Sequence, residues 1–112
     1  MLPAGVRIFL CTEPQDMRRS FDALSLVVQQ VMGKDPLSGA LYVFVGKRPT
    51  RAKVLWWDRN GMCVLYKRLH RALFKVPETC VGTGPAVRID AAALAQLLAG
   101  VESTRARRKS LN

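Results

Sequence analysis

Acidic residues are scarce in this chain. Eight Asp and Glu stand against 18 Lys and Arg in 112 residues, a formal net charge of +10. Histidine is nearly absent, His70 being the single one, and the three cysteines, Cys11, Cys63 and Cys80, show no Cys-x-x-Cys spacing. A structural zinc site draws four Cys or His ligands at close spacings, so neither a metal nor another cofactor is expected. Cys11 and Cys63 each sit in an apolar, β-rich run and read as small hydrophobes. No apolar run approaches the roughly 18 residues needed to cross a bilayer, so no membrane partner is expected. The opening Met1-Leu-Pro-Ala-Gly-Val-Arg7 lacks a basic region leading into an apolar stretch, which points to a cytoplasmic rather than a secreted protein.

Catalytic groups are equally sparse. A hydrolytic triad needs a base beside a nucleophile, and His70 lies among cations in Lys67-Arg-Leu-His-Arg71, where it reads as a surface or turn residue. Gly82-Thr-Gly-Pro85 lacks the Gly-Lys-Ser/Thr of a phosphate-cradling loop. Asp16, Asp22, Asp35, Asp58 and Asp90 each suit a cap, a turn or the surface better than a carboxylate cluster that holds metal ions. The expectation is a protein that is not an enzyme.

What is present is enough apolar material, 49% of residues, for one modest core. The charge is unevenly placed. Residues 1–46 are neutral, 47–75 carry +8 with nine bases and one acid, 76–100 carry −1 and 101–112 carry +3. This suggests a single domain over residues 1–100 and a basic, frayed tail over 101–112.

Periodicity supplies the elements. Residues 6–11, Val-Arg-Ile-Phe-Leu-Cys, read as a first strand. Phe21, Leu24, Val27, Val28 and Val31 recur at the helical period over residues 21–32, with Ser20 or Asp16 as cap and Gly33 as stop. Leu41-Tyr-Val-Phe-Val45 reads as a strand buried on both faces. Lys53-Val-Leu-Trp-Trp-Asp58 and Met62-Cys-Val-Leu-Tyr-Lys67 flank Asn60-Gly61, a strong hairpin signal. A two-residue turn at Asn60-Gly61 would set Trp57 opposite Val64, and a three-residue loop with Gly61 in the left-handed position would set it opposite Cys63; the choice moves a set of side chains to the other face. Phe74–Val76 and Ala86–Ile89 read as short strands around a Pro/Gly-rich loop. Asp90 caps an alanine-rich helix over 91–99 that Gly100 ends. The fold class is α+β: a mostly antiparallel sheet with a central basic β-hairpin, one helix after the first strand and one C-terminal helix.

Lys47, Arg48, Arg51, Lys53, Arg59, Lys67, Arg68, Arg71 and Lys75 all fall on or beside that hairpin, with Trp56, Trp57 and Tyr66 among them. Cations release counterions from phosphates and exposed rings stack on unpaired bases, so these nine are the candidate nucleic-acid contacts. The plainer reading is a solvated hairpin whose lysines discourage edge pairing. A net +8 with one acid exceeds that need. Adjacent Trp56 and Trp57 must face opposite ways, so one belongs to the core. The three aromatics are also candidates for a protein interface, where such residues are enriched.

Pro3-Ala-Gly-Val-Arg7, Asp16-Met-Arg18, Phe21-Asp22 and Asp35-Pro-x-Ser-Gly39 come in order. Val43-Phe44, Lys53-Val-Leu-Trp-Trp-Asp58, Gly61, Tyr66-Lys-Arg-Leu69, Phe74 and Leu97-Leu-x-Gly100 follow. This succession resembles the TnpB-type accessory proteins of the insertion-sequence-sixty-six group of bacterial mobile elements, which are distinct from the RNA-guided nuclease of the same name. The resemblance covers residues 3–100, departing from the pattern at His70-Arg71 and in the Gly/Pro-rich 79–85 loop. It implies a small accessory to a separately encoded transposase and supplies no catalytic residue. DNA and that transposase are the expected partners, and a homo-oligomer is left open. The rival expectation is an adaptor that docks the transposase with little DNA contact.

Overall fold

Five successive apolar residues suit only a strand with a layer on either side. Leu41–Val45 (β2) is such a strand, and it lies at the middle of a five-stranded sheet. The computed structural model describes residues 5–76 and 82–102. Around β2 run Ile8–Cys11 (β1), Phe21–Gln30 (α1), Arg51–Asp58 (β3), Gly61–Arg68 (β4), Ala72–Leu73 (β5), Ala86–Ile89 (β6), Ala91–Ala99 (α2) and Val101–Glu102 (β7). The sheet order is β4-β3-β2-β1-β6, and β5 pairs with β7 apart from it. Only β1 and β2 pair in parallel; the other neighbours are antiparallel. A parallel pair needs a crossover, and α1 is that crossover. The fold is therefore α+β with a mostly antiparallel sheet, as expected, but the basic hairpin expected at its centre lies at one edge, because β2, apolar throughout, takes the middle place.

Alternation along the strands makes two cores. On one face Phe9, Tyr42, Phe44 and Leu55 pack with Leu24, Val27 and Val28 of α1. On the other, Ile8, Leu41, Val43, Val54 and Ile89 pack with Ala93, Leu94 and Leu97 of α2. Tyr42 can be buried because its hydroxyl is satisfied: it donates to the Asp35 carbonyl at 2.7 Å and meets Ser38 Oγ at 2.9 Å. Phe21, expected on the buried stripe of α1, is 45% exposed. It is the first residue of α1, and the helix's buried residues begin one turn later at Leu24. Ser20 occupies the cap position without a side-chain bond. The helix ends earlier than expected, at Gln30, and Gly33 at φ +66° lets Lys34 N–H reach back to the Val28 carbonyl at 2.9 Å.

Both expected hairpin registers are corrected. Asp58 pairs with Gly61, Trp57 with Met62 and Trp56 with Cys63, so the turn residues are Arg59 and Asn60. Arg59, at φ +52°, rather than Gly61, takes the left-handed conformation, and Asn60 N–H folds back on the Asp58 carbonyl. The strand expected at 74–76 is also displaced. Ala72–Leu73 pairs with Val101–Glu102, so the first two residues of the expected frayed tail are a strand; the rest of that tail lies outside the described residues. Gly100, at φ +74°, makes this return. A Cβ there would stand 2.6 Å from Leu69 Cδ1 and 3.1 Å from the Leu73 carbonyl. Asp90 caps α2 as expected, its Oδ1 accepting from Ala93 N–H at 2.7 Å, an interaction worth about 1 kcal/mol. Cys11 is buried, which pushes its thiol pKa up, and Cys63 is half-buried. Cys80 lies outside the described residues.

Candidate nucleic-acid interface

The nine basic residues of the middle block do not form one surface. The ribbon of β3 and β4 has two faces and two ends, and the register distributes the side chains among them. Lys53 shares the α1 face with Leu55 and is only 7% exposed. Its ammonium donates to the Arg19 carbonyl at 2.6 Å and lies 4.7 Å from the centre of the Tyr66 ring. It is thus an internal clamp and no surface cation. Lys67 projects on the opposite face, where Nζ donates to the Leu98 carbonyl at 2.8 Å. That places a cation at the carbonyl end of α2, where the helix dipole favours it. Arg59 sits at the hairpin tip, about 25 Å along the strand from Arg51 by the rise per residue.

Lys47, Arg48, Arg51 and Arg68 remain together at the other end. Arg51 and Arg68 are direct cross-strand partners and line a shallow depression of about 370 Å³ with Tyr66. Arg51 also lines an adjoining groove of about 460 Å³, whose other walls include Lys47, Arg48, Thr50, Asp16 and Arg18. The chain leaving β4 passes the same end, since Leu69 N–H bonds the Thr50 carbonyl at 2.7 Å and Phe74 N–H the Pro49 carbonyl at 2.6 Å. Arg71 and Lys75 are exposed on that passing segment.

Arg18 and Arg19 are not among the residues that sequence reasoning selects, because nothing local joins them to the hairpin. Three interactions do. Gln15 makes an isolated parallel bridge to Gly46, with Gln15 N–H on the Val45 carbonyl at 2.9 Å. Buried Gln15 also accepts from Arg19 Nη1 at 3.0 Å and donates to the Glu13 carbonyl at 3.1 Å. The Lys53 clamp holds the far end of the loop. Gly46 permits the approach: a Cβ there would stand 2.8 Å from Met17 Cγ and 3.1 Å from the Arg48 carbonyl.

Asp16 is the one carboxylate in the groove among the described residues. Its Oδ2 meets Arg18 Nη2 at 2.6 Å, and its Oδ1 accepts from Arg18 N–H at 2.9 Å. The Arg18 side chain, backed by its own amide, holds the Asp16 carboxyl well below the usual carboxylate range. Arg18 engages through Nε and Nη2, which leaves Nη1 available on a side chain that is 91% exposed. This is the only salt bridge among the described residues.

The aromatic candidates separate as well. Trp56 packs against the α2-side core and lines an apolar groove of about 670 Å³ with Val54, Leu65, Leu94 and Leu98. Trp57 borders that groove, although strand alternation sets it on the α1 face opposite Met62. Both are half-buried, so neither is the fully buried core residue expected. Tyr66, 50% exposed, is on the α1 side beside the arginines. Among the described residues no three His, Cys, Asp or Glu come together, and no helix is long and apolar enough to cross a membrane.

Fold and site together define a small α+β protein with a basic cleft at one end of its sheet and an apolar groove on one face. The chain belongs to the IS66 Orf2-like family, whose model matches residues 6–108. This makes it a transposition-associated accessory protein of an insertion sequence. Two proteins of Sinorhizobium fredii are similar to it along most of their length. Uncharacterized protein y4hO is 41% identical over 104 residues, covering 91% of this chain and 88% of the relative. Uncharacterized protein y4jC is 33% identical over 105 residues, covering 94% and 87% respectively. No solved structure matches the chain.

Proposed function

We propose that this protein serves DNA transposition without catalysing a step itself, by holding DNA against the basic cleft at the base of its edge hairpin. One observation carries the reading. Arg18, Lys47, Arg48, Arg51 and Arg68 surround two adjoining depressions in which, among the described residues, Asp16 is the one carboxylate. Arg51 and Arg68 are like charges directly opposite each other, an arrangement that costs stability in the free protein. A phosphate between them relieves that repulsion and accepts from both guanidinium groups.

A salt-titrated binding measurement with element-end DNA and a scrambled duplex tests the reading. Log affinity is expected to fall against log salt by about 0.9 per phosphate neutralised on duplex DNA. Failure to bind element-end, duplex and single-stranded DNA at low salt would refute it.

A second reading rests on the apolar groove that Trp56, Trp57, Leu65 and Leu98 line. There the protein is an adaptor and the groove receives the transposase of the same element. Capture of purified transposase that survives high salt and nuclease treatment, and is lost on Trp56→Ala, would favour the adaptor. Capture only through DNA would favour the first reading.

A further inference from the structure

We propose that Tyr66 is a stacking platform for an unpaired base and that Arg51 and Arg68 hold the adjacent phosphate, so that the site takes single-stranded rather than duplex DNA. The inference rests on the DNA-binding reading above and adds the strand state of the ligand.

Tyr66 differs from its neighbours on the same face of β4. Met62 and Val64 pack into the core beneath α1, whereas Tyr66 is 50% exposed. One face of its ring is taken by the Lys53 ammonium, 4.7 Å from the ring centre. Lys53 cannot drift from that position, because it is buried and bonded to the Arg19 carbonyl at 2.6 Å. One ring face is therefore covered by a fixed cation from the neighbouring strand, while half of the residue stays open to solvent.

Arg68 follows two residues later on the same face, about 7 Å along the strand. Arg51 lies directly across from it, and all three residues line one depression. That spacing is comparable with the reach from a phosphate across its sugar to its own base. In a duplex the faces of the bases are covered by their neighbours. A ring fixed beside its cross-strand lysine, in a shallow depression it shares with two arginines, does not reach them. Every base has a π-face, so the platform is expected to be tolerant of sequence.

The test uses the full chain and fluorescence anisotropy at low salt. Its probes are a labelled oligo(dT), the duplex of equal length, and an oligo(dT) carrying abasic sites that keeps every phosphate. The intact single strand is expected to bind about ten-fold more tightly than either other probe. Tyr66→Ala should lose the same factor on the intact strand and nothing further on the abasic one, since both changes delete the same stacking interaction. Tyr66→Phe should bind as the wild type does. Equal or tighter binding of the duplex, or equal binding of the abasic strand, would overturn the stacking site while leaving DNA binding in place. The abasic comparison uses unaltered protein and so stands even if Tyr66→Ala folds poorly. Absence of binding to all three probes would overturn the DNA-binding reading and this inference together.

Discussion

The two ends of the edge hairpin are built from the same pair of strands and differ in almost everything else. At the tip, Trp56 and Trp57 pair with Cys63 and Met62, all half-buried, and Asp58 adjoins the cation Arg59. At the base, Arg51 and Arg68 oppose each other without a carboxylate partner among the described residues, and the 15–19 loop adds Arg18. The difference shows that chain reversal does not by itself gather charge. Strand alternation disperses the middle block, turning Lys67 to one face and burying Lys53 on the other. A distant loop, drawn in by Gly46 and held by Lys53, rebuilds the concentration at one end.

The most severe way to break this contrast is to strip the base of its charge. Replacing Arg18, Arg48, Arg51 and Arg68 together with alanine should reduce DNA affinity by at least about a hundred-fold at low salt. The salt slope should flatten by up to about 0.9 for each phosphate no longer neutralised. Circular dichroism should show the fold intact, since all four side chains are exposed. Gly46→Ala attacks the assembly rather than the charges. The added methyl meets Met17 and the Arg48 carbonyl, so we expect a loss of about 2 kcal/mol and a fall in melting temperature of roughly 10 °C. DNA binding should weaken alongside, because the loop carrying Arg18 is what gets displaced.

Asp16→Asn should do the reverse. Removing that carboxylate from the groove frees Arg18, and affinity for DNA should rise about three-fold, the scale of an exposed ion pair. Arg18 keeps the Asp16 carboxyl below its ordinary range, so the unaltered protein still carries that negative charge at about pH 4, near the ordinary carboxylate pKa. Its folded-state pKa is lowered, and the gain from the substitution should therefore persist through that pH and close only in stronger acid. Arg59→Ala is the smallest change: at about 0.1 M salt its site is more than two screening lengths from the cleft, and affinity measured there should stay within about two-fold.

The sequence makes the elements legible wherever burial is one-sided or complete. The apolar run at 41–45, the periodic segment after Phe21 and the Asp90-capped helix are local patterns, and the structure has all three. The turn at Arg59-Asn60 is hard to read because Gly61 is the better residue for a left-handed position, yet the pairing of the long strands decides the register. Lys53 looks like a surface cation since no local rule separates a clamped lysine from a solvated one; its partner, the Arg19 carbonyl, is 34 residues away. Arg18 is hidden for the same reason, as only the bridge between Gln15 and Gly46 brings it to the hairpin.

Gly100 has a practical consequence for anyone trimming the chain. Beyond it, Val101 and Glu102 stitch the end of the second helix to the segment that leaves the basic cleft, while Leu69 nestles where a side chain on Gly100 would be. A polypeptide cut at residue 99 would keep both helices and all five strands of the main sheet. It would still unfasten the floor under Arg71 and Lys75, so a shortened version must end past Glu102 to report on the cleft.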